Sequence, residues 1–403
     1  MACNAPSSNQ NEAKEPVFDQ ESYGHDLNFL KEHKIEVVEL ISEDSSQRVM
    51  LIPDWQGRVM TSSSRGLNGK SYGWINYDLI NSQKKDDQFN PFGGEERFWL
   101  GPEGGPYSLY FNEGKQQVFE NWKVPEFIDT KPFETKSRKQ DEALFSGGAE
   151  LSNASGNKLK IEVQRNVKLL DRQKISKALN TEIPDDLEYV AYQSDNTIKN
   201  NGDNAWTKDY GFVSIWMLCM FNPSPQGVVI IPVNDENKSR EEILTDDYFG
   251  QVPADRLKLI NGTVFFKVDG EMRSKIGISP DAAHSIAAGY DAVNRILTIV
   301  AYSGPDRKAP YVNSVWGEQE NPLKGDALNA YNDGPVDGKV MGPFYEIETS
   351  SPAALLAPGE SMTHIQRVFH FRGSEKSLER ITSELLNLKI NEITRVFANK
   401  KSQ

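Results

Sequence analysis

The hydrophobic and polar positions of the chain alternate in short segments rather than in long helical repeats. Segments rich in valine, isoleucine, phenylalanine, tyrosine and threonine follow one another from about residue 35 to residue 372, separated by glycine, proline, asparagine and aspartate. In KLKIEVQ, the alternate residues Leu159, Ile161 and Val163 would share one face of a β-strand. The segments FVSIWMLCMF and GVVIIPV are apolar at nearly every position, which predicts central strands that are covered on both faces.

Helices are predicted at the two ends of this β-rich region. One begins near Asp26 in DLNFLKEHK, and the other lies in SEKSLERITSELLNL with Ser374 as its N-cap. The apolar stripe of the second helix consists of Leu378, Ile381, Leu385 and Leu388. Strands and helices do not alternate in βαβ fashion, and no linker interrupts the strands. We therefore predict an all-β fold with a few short helices, a large antiparallel β-sandwich formed as one domain by residues 24–403.

Composition and charge narrow the classes of partner. The 403-residue chain has a formal net charge of -13 and no basic stripe, which argues against binding of nucleic acid or of an anionic membrane surface. No apolar run approaches the length that crosses a bilayer. The two cysteines, Cys3 and Cys219, provide neither a disulfide framework nor a cysteine-type zinc site. The sequence gives no indication of the oligomeric state.

The N-terminal segment MACNAPSSNQNEAKEP suggests a location for the protein. Ala-Cys followed by a polar stretch resembles a bacterial lipoprotein after removal of its signal peptide, with Cys3 as the lipidated residue. This interpretation predicts a periplasmic or outer-membrane-anchored protein whose membrane tether is the lipid on Cys3. The alternative is a plain tail on a cytoplasmic protein. In either case we expect disorder over residues 1–23.

The stretch PFGGEERFWLGPEGGPYSLYF combines glycines, carboxylates and aromatic rings. Trp99 offers a flat apolar face, and Arg97 and Glu103 offer charged hydrogen-bonding groups. A sugar ring can stack its C–H face on an aromatic ring while its hydroxyl groups donate to carboxylates. The stretch therefore predicts a sugar-binding segment. The alternative is a glycine-rich hairpin in which Arg97 pairs with a glutamate at the surface.

A second polar and aromatic cluster lies in YVNSVWGEQENPLKGDALNAYNDGP. Trp316 and Glu318 are two residues apart, so a β-strand would direct both side chains to one face. The polar residues that follow, up to Asn332 and Asp333, are predicted to lie in a loop that contacts the substrate. For Asn332 and Asp333, the turn-forming character of Asn-Asp-Gly is the competing explanation.

A third cluster, MGPFYEIETSSPAALLAPGESMTHIQRVFHFRG, places two carboxylates on one strand. Glu346 and Glu348 would point to the same face with Cα atoms about 6.5 Å apart. Such a pair could provide a general base and a ligand-binding group, or hold a Ca²⁺ ion. The competing explanation is a solvent-facing strand edge with two glutamates.

Four segments of the chain resemble the galactose mutarotase (aldose 1-epimerase) superfamily. ETSSP followed by LLAPGE is similar to the end of that family, and LIPDWQGRVMTSS and GGEERFWLGPEGG resemble its early hairpin and its Gly-Gly segment. DNTIKNNGDNAW resembles the strand that precedes its central sheet. The resemblance implies a galactose mutarotase-like β supersandwich, and it places Glu348 at the position of the catalytic base.

The chain departs from this family at the general acid. Mutarotases carry a histidine in a His-x-(Tyr/Phe)-Phe-Asn context, whereas SIWMLCMFNPSP keeps Phe221 and Asn222 without a histidine. His364 and His370 lie near the Glu348 strand in sequence and share one facing by alternation. If His364 faced the cleft, it could serve as the acid, because the ordinary pKa of histidine suits that role. Glu103, Glu346 and Arg97 are the other candidates.

Three functions follow from these residues. The first is a carbohydrate-active protein, an aldose 1-epimerase-like isomerase with Glu348 as base, that acts on a mono- or oligosaccharide. The second is a non-catalytic periplasmic sugar-binding module, which the missing histidine favours. The third is a glycoside hydrolase or lyase with paired carboxylates such as Glu103 and Glu348. No cofactor is expected, and a carboxylate-rich Ca²⁺ site is the alternative.

Overall fold

A computed structural model of the protein describes residues 18–398. The predicted tail with Cys3 lies outside the described residues up to residue 17, and the predicted domain boundaries stay a prediction. The strands of the described part are β1 (Val38–Ile41), β2 (Arg48–Ile52), β3 (Arg58–Ser63), β4 (Arg97–Gly101), β5 (Glu134–Arg138), β6 (Glu142–Ser152), β7 (Lys158–Leu169), β8 (Glu188–Asn200), β9 (Ser214–Phe221), β10 (Gly227–Pro232), β11 (Leu244–Thr245), β12 (Leu257–Ile260), β13 (Thr263–Lys267), β14 (Ser274–Ile278), β15 (Ile286–Asp291), β16 (Ile296–Tyr302), β17 (Leu328–Asn332), β18 (Tyr345–Ser350) and β19 (Ser361–Arg372).

The helices are short and lie mostly outside the central strands. They are α1 (Tyr23–Glu32), α2 (Tyr77–Ser82), α3 (Glu126–Asp129), α4 (Arg172–Leu179), α5 (Arg240–Ile243), α6 (Glu375–Leu386) and α7 (Ile390–Arg395). Both predicted helices are confirmed: Ser22 caps α1, and the Ser374 side chain caps α6 by accepting from the Ser377 amide at 3.1 Å. Within residues 18–398, no helix combines the length and the apolar character that crossing a membrane requires.

The strands form three sheets whose neighbours pair antiparallel. The large sheet has the order β12-β13-β10-β15-β16-β19-β8-β7-β6-β5, the second sheet has the order β11-β14-β17-β18-β9-β4, and β1-β2-β3 form a third. This arrangement confirms the all-β, antiparallel fold with a few short helices that the sequence predicted.

The two predicted central strands are covered on both faces, as expected from their apolar sequences. All eight residues of β9 are buried. In β10, Val229 and Ile231 belong to the main core, whereas Val228 and Ile230 pack on the opposite face with residues of α4, α6 and α7. The ten-stranded sheet therefore has one face on the main core and one face on the helices.

The main core lies between the six-stranded and ten-stranded sheets. Ile347 of β18 is fully buried in it, and the next inward residue, Thr349, contacts His364 of β19 through Oγ1 and Nε2 at 2.8 Å. Because side chains alternate along a strand, Glu346 and Glu348 project from the other face of the six-stranded sheet. The strand that closes the core therefore also presents the two carboxylates predicted to share one face.

Candidate functional site

The outer face of the six-stranded sheet collects charged and aromatic side chains from five strands. Across the ladder, Glu348 of β18 pairs with Leu218 of β9, and Leu218 pairs with Arg97 of β4. On the other side, Glu346 pairs with Tyr331 of β17, and Tyr331 pairs with Lys275 of β14. Directly paired residues project to the same face, so strands that are distant in sequence build one site.

Glu348 is held in place by one of its two carboxylate oxygens. Its Oε2 accepts a hydrogen bond from the Trp216 indole Nε1 at 2.9 Å and forms an ion pair with Lys275 Nζ at 2.8 Å. The side chain is 1% exposed, and its Oε1 has no hydrogen-bond partner among residues 18–398. Buried carboxylate oxygens are usually paired, so the free Oε1 is the natural acceptor for a hydroxyl group of a ligand.

Glu346 forms a buried ion pair with the guanidinium of Arg97. Arg97 also lies over the ring of Trp99, with 5.0 Å between its Cζ atom and the ring centroid. Burial raises the pKa of Glu346, the neighbouring Arg97 opposes this increase, and the negative charge of Glu348 adds to it. Arg97, Trp99, Glu346 and Glu348 therefore lie together on this face of the sheet.

Two further carboxyl groups approach the same site. Burial raises the pKa of Glu103; Lys275 opposes the increase, Glu348 strengthens it, and the indoles of Trp122 and Trp316 lower the pKa by smaller amounts. Burial likewise raises the pKa of Asp326, to about 6, although Tyr248 donates a hydrogen bond to it. We refer to these groups together as the Glu348 cluster: Arg97, Trp99, Glu103, Trp216, Tyr248, Lys275, Asp326, Glu346 and Glu348.

The charges in the Glu348 cluster do not balance. Four carboxyl groups face two cations, Arg97 and Lys275, so full ionisation would leave two negative charges uncompensated in a largely buried site. Burial of unpaired charge is costly, and the carboxyl groups respond by holding their protons to higher pH. The site therefore contains carboxyl groups that can donate a proton beside a carboxylate that can accept one.

Aromatic rings form one wall of the site. Trp99 meets Trp216 edge to face at 5.6 Å, and Trp316 stacks on Trp122 with 6.2 Å between the centroids. The indole Nε1 of Trp99 has no partner among the described residues. Flat faces next to free polar atoms suit a ligand with both C–H and O–H groups, which supports the sugar interpretation of the glycine-rich stretch.

The glycines of that stretch allow two loops to approach each other. A Cβ atom at Gly104 would overlap the backbone carbonyl of Val315, and Gly105 has a φ of 78°, which favours glycine. The Gln117 side chain accepts hydrogen bonds from the amides of Gly105 at 2.8 Å and Gly317 at 2.7 Å. These contacts fix the loop that carries Trp316 against the loop that carries Glu103.

Trp316 and Glu318 do not lie on a β-strand, so strand alternation does not direct them to one face. Both residues lie in an irregular loop, and only Trp316, packed against Phe111 at 5.1 Å, belongs to the aromatic wall. Glu318 is exposed, so the structure does not bring it into the Glu348 cluster. The loop follows Asn and Gly turn chemistry, since the amide of Val315 donates to the Asn313 side chain at 3.0 Å.

The loop prediction is wrong for Asn332, which is the last residue of strand β17, whereas Asp333 lies in the loop that follows the strand. The Asn332 side chain accepts from the Gly270 amide at 2.9 Å and donates to the Met272 carbonyl at 2.8 Å on the core side of the sheet. The Asp333 carboxylate accepts from the Tyr331 hydroxyl at 2.9 Å and the Gly342 amide at 3.0 Å. Both side chains thus hold neighbouring loops.

The acid role predicted for His364 is wrong. His364 of β19 lies in the core between the two large sheets, whereas Glu348 of β18 projects from the outer face of the six-stranded sheet. His364 is 1% exposed in the core, where Nε2 contacts Thr349, and burial lowers its pKa to about 3. His370 also faces the core, with Nε2 2.9 Å from Glu95. In the histidine pattern of the resembled family, the histidine precedes Phe221 by three residues, and Leu218 occupies that position.

Sequence reasoning missed Trp216, Tyr248 and Lys275. Trp216 could have been found from its alternation with Leu218 and Met220 along a strand whose other residues are core. Lys275 interrupts an otherwise buried strand, SKIGI, and an isolated lysine in such a strand is a signal of a specific partner. Tyr248 lies in a segment with no recognisable pattern.

A separate cavity of about 720 Å³ lies at one end of the sandwich, between α1 and the end of β9. Its lining includes Asp26, Trp74 and His370. The Asp26 carboxylate already accepts hydrogen bonds from Ser71 and Tyr77. Both Asp26 oxygens are therefore engaged, unlike Oε1 of Glu348.

No cation site can be assigned to the described part of the chain. Within residues 18–398, no group of three or more histidine, cysteine, aspartate or glutamate side chains has an arrangement that could hold a metal ion. The predicted calcium alternative therefore stays a prediction with no residues assigned to it.

Comparison with known proteins gives a family and a fold. The family described as "Family of unknown function (DUF6786)" matches residues 21–397. No curated protein matches the chain significantly. Slr1438 from Synechocystis sp. PCC 6803 has 13% identity and a TM-score of 0.50, over 84% of this chain and 96% of that chain.

Two other solved structures carry mutarotase descriptions. A galactose mutarotase-like protein from Lactobacillus casei ATCC 334 has 10% identity and a TM-score of 0.46, over 83% of this chain and 100% of that chain. A galactose mutarotase related enzyme from Lactobacillus acidophilus has 10% identity and a TM-score of 0.42, over 84% of this chain and 97% of that chain. Of these three similarities, the one to Slr1438 reaches a TM-score of 0.50, and it supports the predicted fold. At such identities the similarity concerns the fold alone.

Proposed function

Because the chain belongs to this family of unknown function, we propose an activity from the site itself: a sugar binds at the Glu348 cluster, and Glu348 acts as general base in an aldose 1-epimerase-like isomerisation. The observation that carries the proposal is the asymmetry of the Glu348 carboxylate. One oxygen is fixed by Trp216 and Lys275, and the other is buried and unpaired beside aromatic faces. A base needs this combination of fixed orientation and a free acceptor atom.

In the proposed reaction, Glu348 Oε1 removes the proton of the anomeric hydroxyl group of a cyclic aldose. As the C1 carbonyl forms, the bond between C1 and the ring oxygen breaks, and the ring oxygen takes a proton from a carboxylic acid of the cluster. Rotation about the C1–C2 bond and reversal of the two proton transfers give the other anomer. No net proton is consumed, because the acid and the base exchange roles in the return step.

Glu103 is the group we assign as the acid. Its pKa is raised by burial and by the charge of Glu348, so it holds a proton to higher pH than an ordinary glutamate. It lies in the loop beside Trp316, at the partly exposed side of the cluster. Asp326 is less suited, because its carboxyl group is engaged by Tyr248.

The test follows the optical rotation of freshly dissolved pure anomers of glucose, galactose, xylose and arabinose, with and without the protein. We expect acceleration by the wild type, loss of most of it in Glu348→Gln and Glu103→Gln, and full retention in the matched control Glu318→Gln. General acid–base groups typically contribute about 10²–10⁴-fold. Equal rates for the wild type and Glu348→Gln would remove Glu348 from the mechanism.

A second function is favoured by Leu218. This leucine lies across the ladder from both Glu348 and Arg97, where the resembled family pattern places its histidine acid. A non-catalytic sugar-binding module would tolerate an apolar residue there. Sugar binding by calorimetry without any change in the rate of anomer exchange would select this function over the isomerase. For the hydrolase alternative, release of a reducing sugar from aryl glycosides is the corresponding assay.

The proposed location is the periplasmic side of a bacterial membrane, with the lipid on Cys3 as the tether. The support is the sequence around Cys3 alone. Expression behind a lipoprotein signal peptide, with Cys3→Ser as the control, should place the wild type in the detergent-extractable membrane fraction and the variant in the soluble periplasm. Identical fractionation of the two proteins would contradict the tether.

A further inference from the structure

Aromatic rings continue from the Glu348 cluster to the protein surface. The rings of Trp99 and Phe89 pack edge to face with 5.5 Å between their centroids, and those of Phe89 and Trp122 do so with 5.6 Å. Trp122 then stacks on Phe119, with 6.1 Å between the centroids and 16° between the planes. Phe119 is 62% exposed. The rings thus form a continuous path from a buried site to a solvent-exposed aromatic side chain.

The outer rings are nearly parallel to one another. Trp122 stacks with three neighbouring rings. The angles between its ring plane and theirs are 9° for Tyr110, 16° for Phe119 and 24° for Trp316. Next to Phe119, Val118 is 42% exposed. Large exposed apolar side chains that adjoin a polar site commonly mark a contact with a ligand.

Phe119 and Trp316 are held at fixed positions relative to each other. The Gln117 side chain accepts from the Gly317 amide at 2.7 Å, which ties the segment before Phe119 to the loop of Trp316. The same side chain donates to the Gly105 carbonyl at 2.7 Å, next to the loop of Glu103. A single glutamine therefore fixes the exposed rings and the proposed acid in one rigid unit, as a binding site requires.

We propose that Phe119, Trp122 and Trp316 form a second sugar-binding position, so that the ligand is a reducing oligosaccharide of two or more units. The reducing-end sugar occupies the Glu348 cluster, and the next unit stacks its C–H face on the outer rings. This inference rests on the proposed function, because it places the free anomeric centre at Glu348. It also specifies the class of substrate, a reducing oligosaccharide, which neither the fold nor the carboxylates of the cluster indicate.

The test compares the affinity of each reducing disaccharide with that of its own reducing-end monosaccharide by calorimetry. The pairs are maltose and cellobiose with glucose, and lactose with glucose, measured for the wild type, Phe119→Ala and the control Val293→Ala. Val293 is 60% exposed in the turn between β15 and β16, so it matches Phe119 in exposure. Melting temperatures of all three proteins establish that each is folded.

We expect at least one disaccharide to bind the wild type about tenfold more tightly than glucose, the size of one good aromatic contact. Phe119→Ala should lose this gain while its affinity for glucose stays unchanged, and Val293→Ala should behave as the wild type. Equal affinity of the wild type for glucose and every disaccharide would overturn the second position and leave the proposed function intact. Absence of binding by any of these sugars would overturn both.

Discussion

Replacing Asp326 with asparagine should make the protein more stable at neutral pH. Burial raises the pKa of Asp326 from 3.8 to about 6. Between these two values the folded protein holds a proton that the unfolded chain has already lost. The free energy of unfolding therefore falls as the pH rises through this window. Above pH 6 the folded state carries the full cost of a buried carboxylate.

The magnitude follows from the shift of about two pKa units. Each unit corresponds to about 1.4 kcal/mol, so the penalty above pH 6 is on the order of 3 kcal/mol. Asparagine keeps a carbonyl oxygen that can accept the hydrogen bond from Tyr248, and it carries no charge. We expect Asp326→Asn to equal the wild type near pH 4 and to exceed it by up to about 3 kcal/mol near pH 7.5.

The assay is urea unfolding of the wild type and Asp326→Asn at several values between pH 4 and pH 7.5, followed by tryptophan fluorescence. Asp87→Asn, which changes an exposed aspartate, is the matched control and should show a constant difference from the wild type. A difference between Asp326→Asn and the wild type that stays the same at pH 4 and pH 7.5 would refute the assignment of a raised pKa to Asp326.

Two further changes test the architecture of the site. Lys275→Met removes the cation that pairs with Glu348 Oε2, and leaving that carboxylate unpaired should cost about 3 kcal/mol or more near pH 7, as measured by urea unfolding. An unchanged free energy of unfolding would show that the buried ion pair between Lys275 and Glu348 is not formed as described. Gly104→Ala would place a methyl group against the Val315 carbonyl and should lower the stability by about 1–3 kcal/mol. Wild-type thermal unfolding in that variant would show that the two loops are not fixed as described.

The fold and part of the site could be predicted from local patterns. Strand alternation is a local property, and it placed Glu346 and Glu348 on one face of β18, as the structure confirms. The two apolar segments became central strands because no other environment buries both of their faces. These features depend on neighbours within a few residues, which the sequence displays directly.

The remaining site residues depend on strand order and facing, which local patterns do not display. Lys275 and Trp216 are 73 and 132 residues from Glu348 in sequence, and the ladder of the six-stranded sheet brings them together. His364 failed as a candidate for a related reason. Alternation shows that His364 and His370 share a facing, but a register shift of one residue would reverse which face of the strand meets the core.

Leu218 connects the charge imbalance of the site to its chemistry. An apolar side chain between Arg97 and Glu348 contributes no charge and excludes water from the carboxylates beside it, so it strengthens every charge interaction in the cluster. A histidine at that position would add a titratable group, whereas the leucine adds none. The excess of carboxyl groups over cations then has a functional consequence, because it keeps a proton available next to a base. The raised pKa values of Asp326 and Glu103 mean that these carboxyl groups lower the free energy of unfolding near neutral pH. Such a loss of stability is consistent with a site that keeps its excess of carboxyl groups for catalysis or binding.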